Sequence, residues 1–285
     1  MSETWTVLRL LTWCREYFTG KGIDTPRLDA EVLLASVLGV DRVGLYLRFD
    51  QPASADELQR FRELVRRRAN REPVAHLVGT KEFYGVSFLA DARALVPRPE
   101  TETLVEYILA ALPADALTFA DVGVGGGCVA LTLLKQRPAW RAVAVDVSPD
   151  ALALAQANAE RLGVTERVRF VHGSLLDGVT EDLAAVVSNP PYVPSAECDT
   201  AAPEVAHDPR VAIDGGPDGL EVIRPLVDQA ATKLPAGGLL ALEIGAGQDQ
   251  AVLALLERDG RYERGEVRRD LAGIARVIGA RKKES

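Results

Sequence analysis

Apolar positions along this chain follow two different periods. In the first 80 residues Val7, Leu8 and Leu11, then Leu28, Val32 and Ala35, recur three and four apart, which predicts helices packing on one side. Ser54 with Glu57 is a capping box ahead of an Arg-rich helix, and Pro73 marks the end of that helix. Past residue 98 the pattern changes to short apolar runs alternating with helical stretches. Leu183–Val187, Ala142–Val145, Val168–Val171 and Leu239–Ile244 read as strands, and Val129–Leu134 reads as a helix. Another helix opens at Ser148-Pro149 and closes at Gly163. Strands alternating with helices predict a doubly wound α/β sheet. Residues 81–98, with Phe83, Val86 and Phe88, read as a β-hairpin linker. The expected organisation is residues 1–80 helical, 81–98 linker and 99–285 α/β, with no internal repeat.

Chemistry concentrates at the strand ends. The run Leu183–Val187 leads into Asn189-Pro190-Pro191-Tyr192. Each proline fixes φ and lacks an N–H, and Pro190 also restricts Asn189, so the Asn side chain and nearby carbonyls form a rigid set of acceptors. Such acceptors suit a planar –NH2 group, whose two hydrogens they can hold while its lone pair faces an electrophile. Tyr192 offers a flat packing face. The plainer reading of Asn-Pro-Pro is loop punctuation.

Upstream, Asp121-Val-Gly123-Val124-Gly125-Gly-Gly127 lies between a short strand and a helix, where glycine lets a ligand approach the backbone closely. About twenty residues on, Asp146 ends the next strand, placed to accept ribose hydroxyls. Two cofactors fit this spacing. Gly125-Gly-Gly127-Cys-Val-Ala130 satisfies a dinucleotide fingerprint, whereas Asp121, ahead of the first glycine, would repel a pyrophosphate and attract the sulfonium of S-adenosyl-L-methionine. A phosphate-binding P-loop is excluded because no Lys-Ser or Lys-Thr pair follows the glycines.

In this order, the glycine loop, Asp146 and Asn189-Pro-Pro-Tyr192 resemble the class I S-adenosylmethionine-dependent methyltransferases that act on nitrogen. More closely, the chain resembles the HemK/PrmC family, the glutamine methyltransferases of peptide-chain release factors. Gly79-Thr-Lys-Glu-Phe83-Tyr-Gly85 and Val96-Pro-Arg98-Pro-Glu100-Thr101-Glu102 carry that likeness, as do Pro203-Glu-Val205, Asp214-Gly-Gly216-Pro-Asp-Gly219, Glu243-Ile-Gly245 and Asp270–Arg276. The resemblance spans roughly residues 70–280. It implies a Rossmann-like sheet closed by an antiparallel pair near Val267 and Arg276–Ile278, and a substrate-recognition role for residues 1–80. It also implies cofactor contacts from Asp121, Gly123, Val124, Gly125, Gly127, Asp146, Ser174, Leu175 and Asn189, and a substrate and catalytic site at Asn189, Pro190, Pro191 and Tyr192. The family usually carries Thr and Ser where this chain has Val124 and Gly126, and an Asp at Ser174.

Composition agrees with this picture. The hydrophobic fraction is 47%, yet no apolar run approaches the roughly 18 residues of a membrane helix. The first residues show no signal-peptide pattern, and Cys14, Cys128 and Cys198 are widely spaced, so a reducing cytoplasm is expected; a monomer is expected too, without a sequence feature that fixes it. The cysteines and His76, His172 and His207 show no metal-ligand spacing. The net charge of −8 divides into +1 over residues 1–90 and −9 beyond them. Acidity there weighs against a nucleic-acid partner. Arg60, Arg62, Arg66, Arg67, Arg68 and Arg71 form a local basic run, read as a solvated helix face with partner docking as the alternative.

The resulting expectation is methyl transfer from S-adenosyl-L-methionine, leaving S-adenosyl-L-homocysteine, to the glutamine of the Gly-Gly-Gln motif of class 1 release factors. A ribosomal-protein glutamine methyltransferase and a DNA or RNA amino-methyltransferase are the alternatives. From another class, a non-catalytic protein that occupies release factors would share the same flanking signatures.

Overall fold

The computed structural model describes residues 4–200 and 202–284. The chain forms two compact units, one of residues 1–80 with 203–207, the other of residues 81–202 with 208–285.

The first unit is helical, with α1 (Val7–Gly20), α2 (Pro26–Leu38), α3 (Arg42–Tyr46), α4 (Ala55–Ala69) and α5 (Val74–Val78). Ser54 and Glu57 make both bonds of the capping box at the start of α4. The helical period holds, but the buried face differs in part from the expected one. Val7, Leu10, Cys14 and Phe18 form the inner face of α1, and Leu8 is exposed. On α2 the buried set includes Leu33, Leu34 and Val37, while Leu28 faces out. The cause is packing: α2 touches α1, α3, α4 and α5, so its interior surface is wider than one stripe.

The basic run is also not a single solvated face. Arg68 is buried between Asp29 at 2.7 Å and Glu204 at 3.0 Å, and Arg71 reaches Glu204 at 3.3 Å. Arg67 pairs with Glu72, Arg66 with Glu63 and Arg60 with Asp56. Helix α4 ends at Ala69, and Pro73 instead caps the start of α5.

The second unit begins with a hairpin, β1 (Thr80–Phe83) and β2 (Val86–Leu89). Its turn residues Tyr84 and Gly85 have φ of 51° and 69°, the left-handed pair that two-residue hairpins use. There follow α6 (Glu102–Ala111), β3 (Thr118–Val122), α7 (Cys128–Gln136), β4 (Arg141–Asp146) and α8 (Pro149–Leu162). Next come β5 (Val168–His172), β6 (Ala185–Ser188), the single turn α9 (Ser195–Cys198), α10 (Ile223–Lys233) and β7 (Leu239–Glu243). The unit ends with α11 (Asp249–Asp259), β8 (Glu266–Arg269) and β9 (Ala275–Arg281).

Seven strands form one sheet in the order β5-β4-β3-β6-β7-β9-β8. The first five run parallel, and β9 is antiparallel to both β7 and β8, giving the expected Rossmann-like sheet with its antiparallel end. Alternate residues of each central strand enter opposite cores, as a sheet covered on both faces requires. Phe119, Ala144 and Val187 pack with residues of α6, α7 and α8, and Ala120, Val143 and Val186 pack with residues of α10 and α11. Chain order reverses between β3 and β6, which opens a crevice at their carboxyl ends. No helix among the described residues is long and apolar enough to cross a membrane.

Candidate active site

Val122 and Ser188 are register partners at the last rung of β3 and β6, so the glycine loop and the Asn-Pro-Pro turn leave the sheet side by side. Ser188 secures this end by donating its hydroxyl to the Val122 carbonyl at 2.6 Å.

The amides of the glycine loop are largely consumed within the protein. Gly123 and Val124 both donate to the Val145 carbonyl at 2.8 and 3.0 Å. Gly125 donates to Asp146 Oδ2 at 2.8 Å, and Gly127 to the Val124 carbonyl at 2.9 Å. A pyrophosphate needs such N–H groups as donors. Here they are engaged, and the charges beside them are carboxylates. Asp146 also accepts from Ser148 N through Oδ1 at 2.9 Å, and its four lone-pair sites leave room for further donors. Asp121 is buried and accepts from Ala130 N at 2.9 Å. Burial lifts its carboxyl to about 7, opposed by that N–H and aided by the nearby Asp146 charge.

These residues line one cavity of about 370 Å³. Asp121, Gly123, Val124, Gly125, Asp146, Ser174, Leu175, Asn189 and Pro191 all lie in its wall. Leu175 holds a left-handed φ of 53°, uncommon for a branched side chain and of a kind that clusters at ligand sites. Three expected residues stand outside the wall. Gly127 starts α7 with φ of 89°, where an added Cβ would fall 2.7 Å from Leu131 Cδ1, so it serves helix packing. Pro190 is buried, and Tyr192 turns its hydroxyl to Glu243 Oε1 at 3.2 Å.

The Asn-Pro-Pro-Tyr turn is buttressed from two sides. Val193 N donates to Ile213 O and Gly215 N to Val193 O, laying residues 213–215 along the turn. A Cβ on Gly215 would meet Pro191 O at 2.7 Å and Tyr192 Cα at 2.8 Å, both backbone atoms that cannot give way. Gln248 supplies the second side, donating to Tyr192 O at 2.9 Å and accepting from Gly245 N at 2.8 Å. The role of the Asp214–Gly219 segment is therefore close approach to this turn.

Sequence reasoning missed several residues. Thr101 is buried, lines the cavity, and its oxygen accepts from Asn189 Nδ2 at 3.2 Å. Glu243 is buried at the end of β7, and burial raises its carboxyl to about 7 against the stabilising Thr101 and Tyr192 hydroxyls. Asn158, buried within α8, accepts from Leu89 N at 2.7 Å and donates to Leu89 O and Gly126 O. A buried Asn in a helix interior is itself a signal, since Asn is a poor helix former unless its amide has work elsewhere. Val147 and Glu221 join the wall from loops, and Val211 and Ala212 from a 3-10 turn, Arg210–Ala212. Of the lining arginines, Arg98 is held by Asp208 at 2.5 Å and Arg93 by Asp91 at 2.8 Å. Among the described residues no group of His, Cys, Asp and Glu could hold a metal ion.

Comparison with known proteins bears on this arrangement. Residues 9–79 match the model of the PrmC N-terminal domain, and residues 100–208 match that of the methyltransferase small domain. The chain is 44% identical to a release factor glutamine methyltransferase of Geobacter sulfurreducens, over 98% of each chain. It is 43% identical to one of Deinococcus radiodurans, covering 96% of this chain and 97% of that one. Among solved structures, a ribosomal protein L11 methylase from Lactobacillus delbrueckii subsp. bulgaricus has a TM-score of 0.51 at 19% identity, over 68% of this chain and 84% of that one, a likeness of fold alone. Full-length identity at this level, on a Rossmann-like sheet with a small helical unit before it, shows that this chain belongs to the release factor glutamine methyltransferase family.

Proposed function

We propose that the cavity binds S-adenosyl-L-methionine and that the protein methylates the side-chain amide nitrogen of the glutamine in the Gly-Gly-Gln motif of class 1 release factors. The observation that carries this reading is the setting of Asn189. Its Nδ2 is engaged by Thr101, which leaves the carbonyl Oδ1 of a cavity-lining carboxamide to accept from an incoming –NH2. The same cavity also fits a cationic donor, with Asp121 and Asp146 in its wall in place of free backbone N–H groups.

The cofactor supplies a methyl group on a positively charged sulfur. The protein's part is positional. Asn189 Oδ1, in the cavity wall, would hold one of the two amide hydrogens, and the buttressed turn keeps that acceptor in place, so the nitrogen lone pair would be turned toward the methyl donor. S-adenosyl-L-methionine would supply the methyl group to that nitrogen and leave as S-adenosyl-L-homocysteine, and the methylated nitrogen would give up a proton to water. No strong base is required, because that nitrogen is acidic once alkylated. Asp146 would hold the ribose, and Ser174 and Leu175 the adenine edge. Val124 and Gly126 offer no side-chain hydroxyl there.

The test is incubation of the full chain with tritiated S-adenosyl-L-methionine and purified release factor, followed by mass spectrometry. One methyl on the Gly-Gly-Gln glutamine is expected, none on a Gln→Ala factor, and much slower labelling of the isolated loop peptide, since ordering a flexible loop weakens binding. Label entering RNA, DNA or a ribosomal protein while release factors stay unmodified would refute the substrate. Tight binding of release factor without any label would refute the enzyme.

A further inference from the structure

We propose that Glu243, acting through Thr101, is a positioning residue that sets which end of the Asn189 carboxamide faces the cavity. The inference rests on the reading of Asn189 as the acceptor for the substrate amide. An amide side chain has a carbonyl end and an –NH2 end of nearly equal size, so shape alone does not choose between its two orientations. Its neighbours must choose. A hydroxyl is ambiguous too, because it donates or accepts according to what else it meets.

Glu243 removes that ambiguity. The carboxyl group ends β7, is 1% exposed, and faces the hydroxyls of Thr101 and Tyr192. Its Oε2 is enclosed in the protein interior with no hydrogen-bond partner among the described residues, so this carboxyl carries an acceptor still open. As an anion, Glu243 is acceptor-only, so both hydroxyls turn their protons toward it. The Thr101 oxygen is then left with lone pairs, and it receives Asn189 Nδ2 at 3.2 Å. That contact in turn points Oδ1 away from Thr101. Polarity therefore passes from a carboxylate that touches no reactant to the one carbonyl that does. Protonation of Glu243 would erase it, because a carboxylic acid donates, and the Thr101 hydroxyl would be free to donate to Asn189 Oδ1 instead. The charged and titratable groups around the carboxyl are Tyr192, Arg276, Glu100 and the Cys128 thiol. Burial opposes the anion, and Arg276 together with the two hydroxyls supports it, placing the transition at about 7.

Three variants of the full chain test this, with release factor and S-adenosyl-L-methionine as substrates. Thr101→Val keeps the shape and deletes the hydroxyl, Thr101→Ser restores it, and Glu243→Gln keeps the shape while adding an –NH2 donor. Thr101→Val and Glu243→Gln are each expected to lower kcat by about 10–100-fold, the scale of losing a preorganised polar contact. Cofactor Kd and release-factor KM should stay within about threefold, and Thr101→Ser should keep kcat within about threefold, as expected when only orientation is at stake. Wild-type kcat should fall as pH drops below about 7, and Glu243→Gln should lose that acid limb. A purely space-filling Glu243 would tolerate the isosteric Gln and leave the pH profile unchanged. Thr101→Val turning over within threefold of wild type would overturn the proposal, and so would a Thr101→Ser variant no faster than Thr101→Val. These outcomes are separable from failure of the underlying reading, which would appear as a wild-type protein that does not methylate the factor at all.

Discussion

Asp146 Oδ2 accepts the Gly125 amide hydrogen at 2.8 Å, so the carboxylate that ends β4 also holds the loop that follows β3. One side chain thus joins the two cavity-lining segments. Removing it is expected to cost both its ribose contacts and the loop's anchor. Asp146→Ala should weaken S-adenosyl-L-methionine binding by roughly 1.5–3 kcal/mol in a folded protein, the range for hydrogen bonds to a charged group. Isothermal titration measures this directly, and unchanged affinity would remove Asp146 from the site.

Asn189→Ala should separate binding from chemistry. The side chain lines the cavity, and among the described residues its one side-chain hydrogen bond is to Thr101, not to Asp121 or Asp146. Cofactor affinity should hold within about threefold while turnover falls about 10²–10³-fold, as when one preorganised polar group is lost. A variant keeping more than about a third of wild-type kcat at saturating substrates would contradict the assigned role.

Asp121 predicts a pH dependence of cofactor binding. Its carboxyl is raised to about 7, chiefly by burial. The fold therefore favours the protonated form, and this contribution to stability is full at low pH and is lost as pH rises through about 7. A sulfonium favours the opposite, ionised form. Affinity should then strengthen by roughly tenfold between pH 6 and pH 8, with proton release on binding near pH 7. Titration calorimetry in buffers of different ionisation enthalpy reads both quantities. Asp121→Asn, which still offers an acceptor to Ala130 N, should flatten the dependence.

The helical unit carries its own test. Arg68 is buried against Asp29 and Glu204, so Arg68→Met strands the almost fully enclosed Asp29 while Glu204 keeps Arg71. Loss of one partner from a buried pair costs about 3–5 kcal/mol. Urea titration followed by circular dichroism and tryptophan fluorescence, with Trp5 and Trp13 as reporters in this unit, should show an earlier transition for the helical part. Coincidence with wild type would mean the pair contributes nothing.

Where strands end in polar or glycine-rich turns, the sequence was readable. Asp121, Asp146 and Asn189 each follow an apolar run short enough to be a buried strand, and all three meet at one crevice because parallel strands align their carboxyl ends. Thr101, Val211, Ala212 and Glu221 were not legible as wall residues, since they reach it from a loop and two short 3-10 turns that no periodicity describes. Nor did the pattern distinguish Leu8 from Leu10, because a helix with apolar residues on two faces does not say which face its neighbour will cover. Arg68 was hidden within a run of arginines whose other members are exposed or half-exposed.

The glycine loop, with Gly123, Val124, Gly125 and Gly127 each donating to a group of the same chain, carries its order within the polypeptide. Flexible loops must lose conformational entropy when a ligand arrives, and that loss is subtracted from affinity. Here the glycines are immobilised during folding, by strand β4 and by one another. A ligand entering the crevice meets a wall already in its final shape, and selectivity falls to the charges set into that wall.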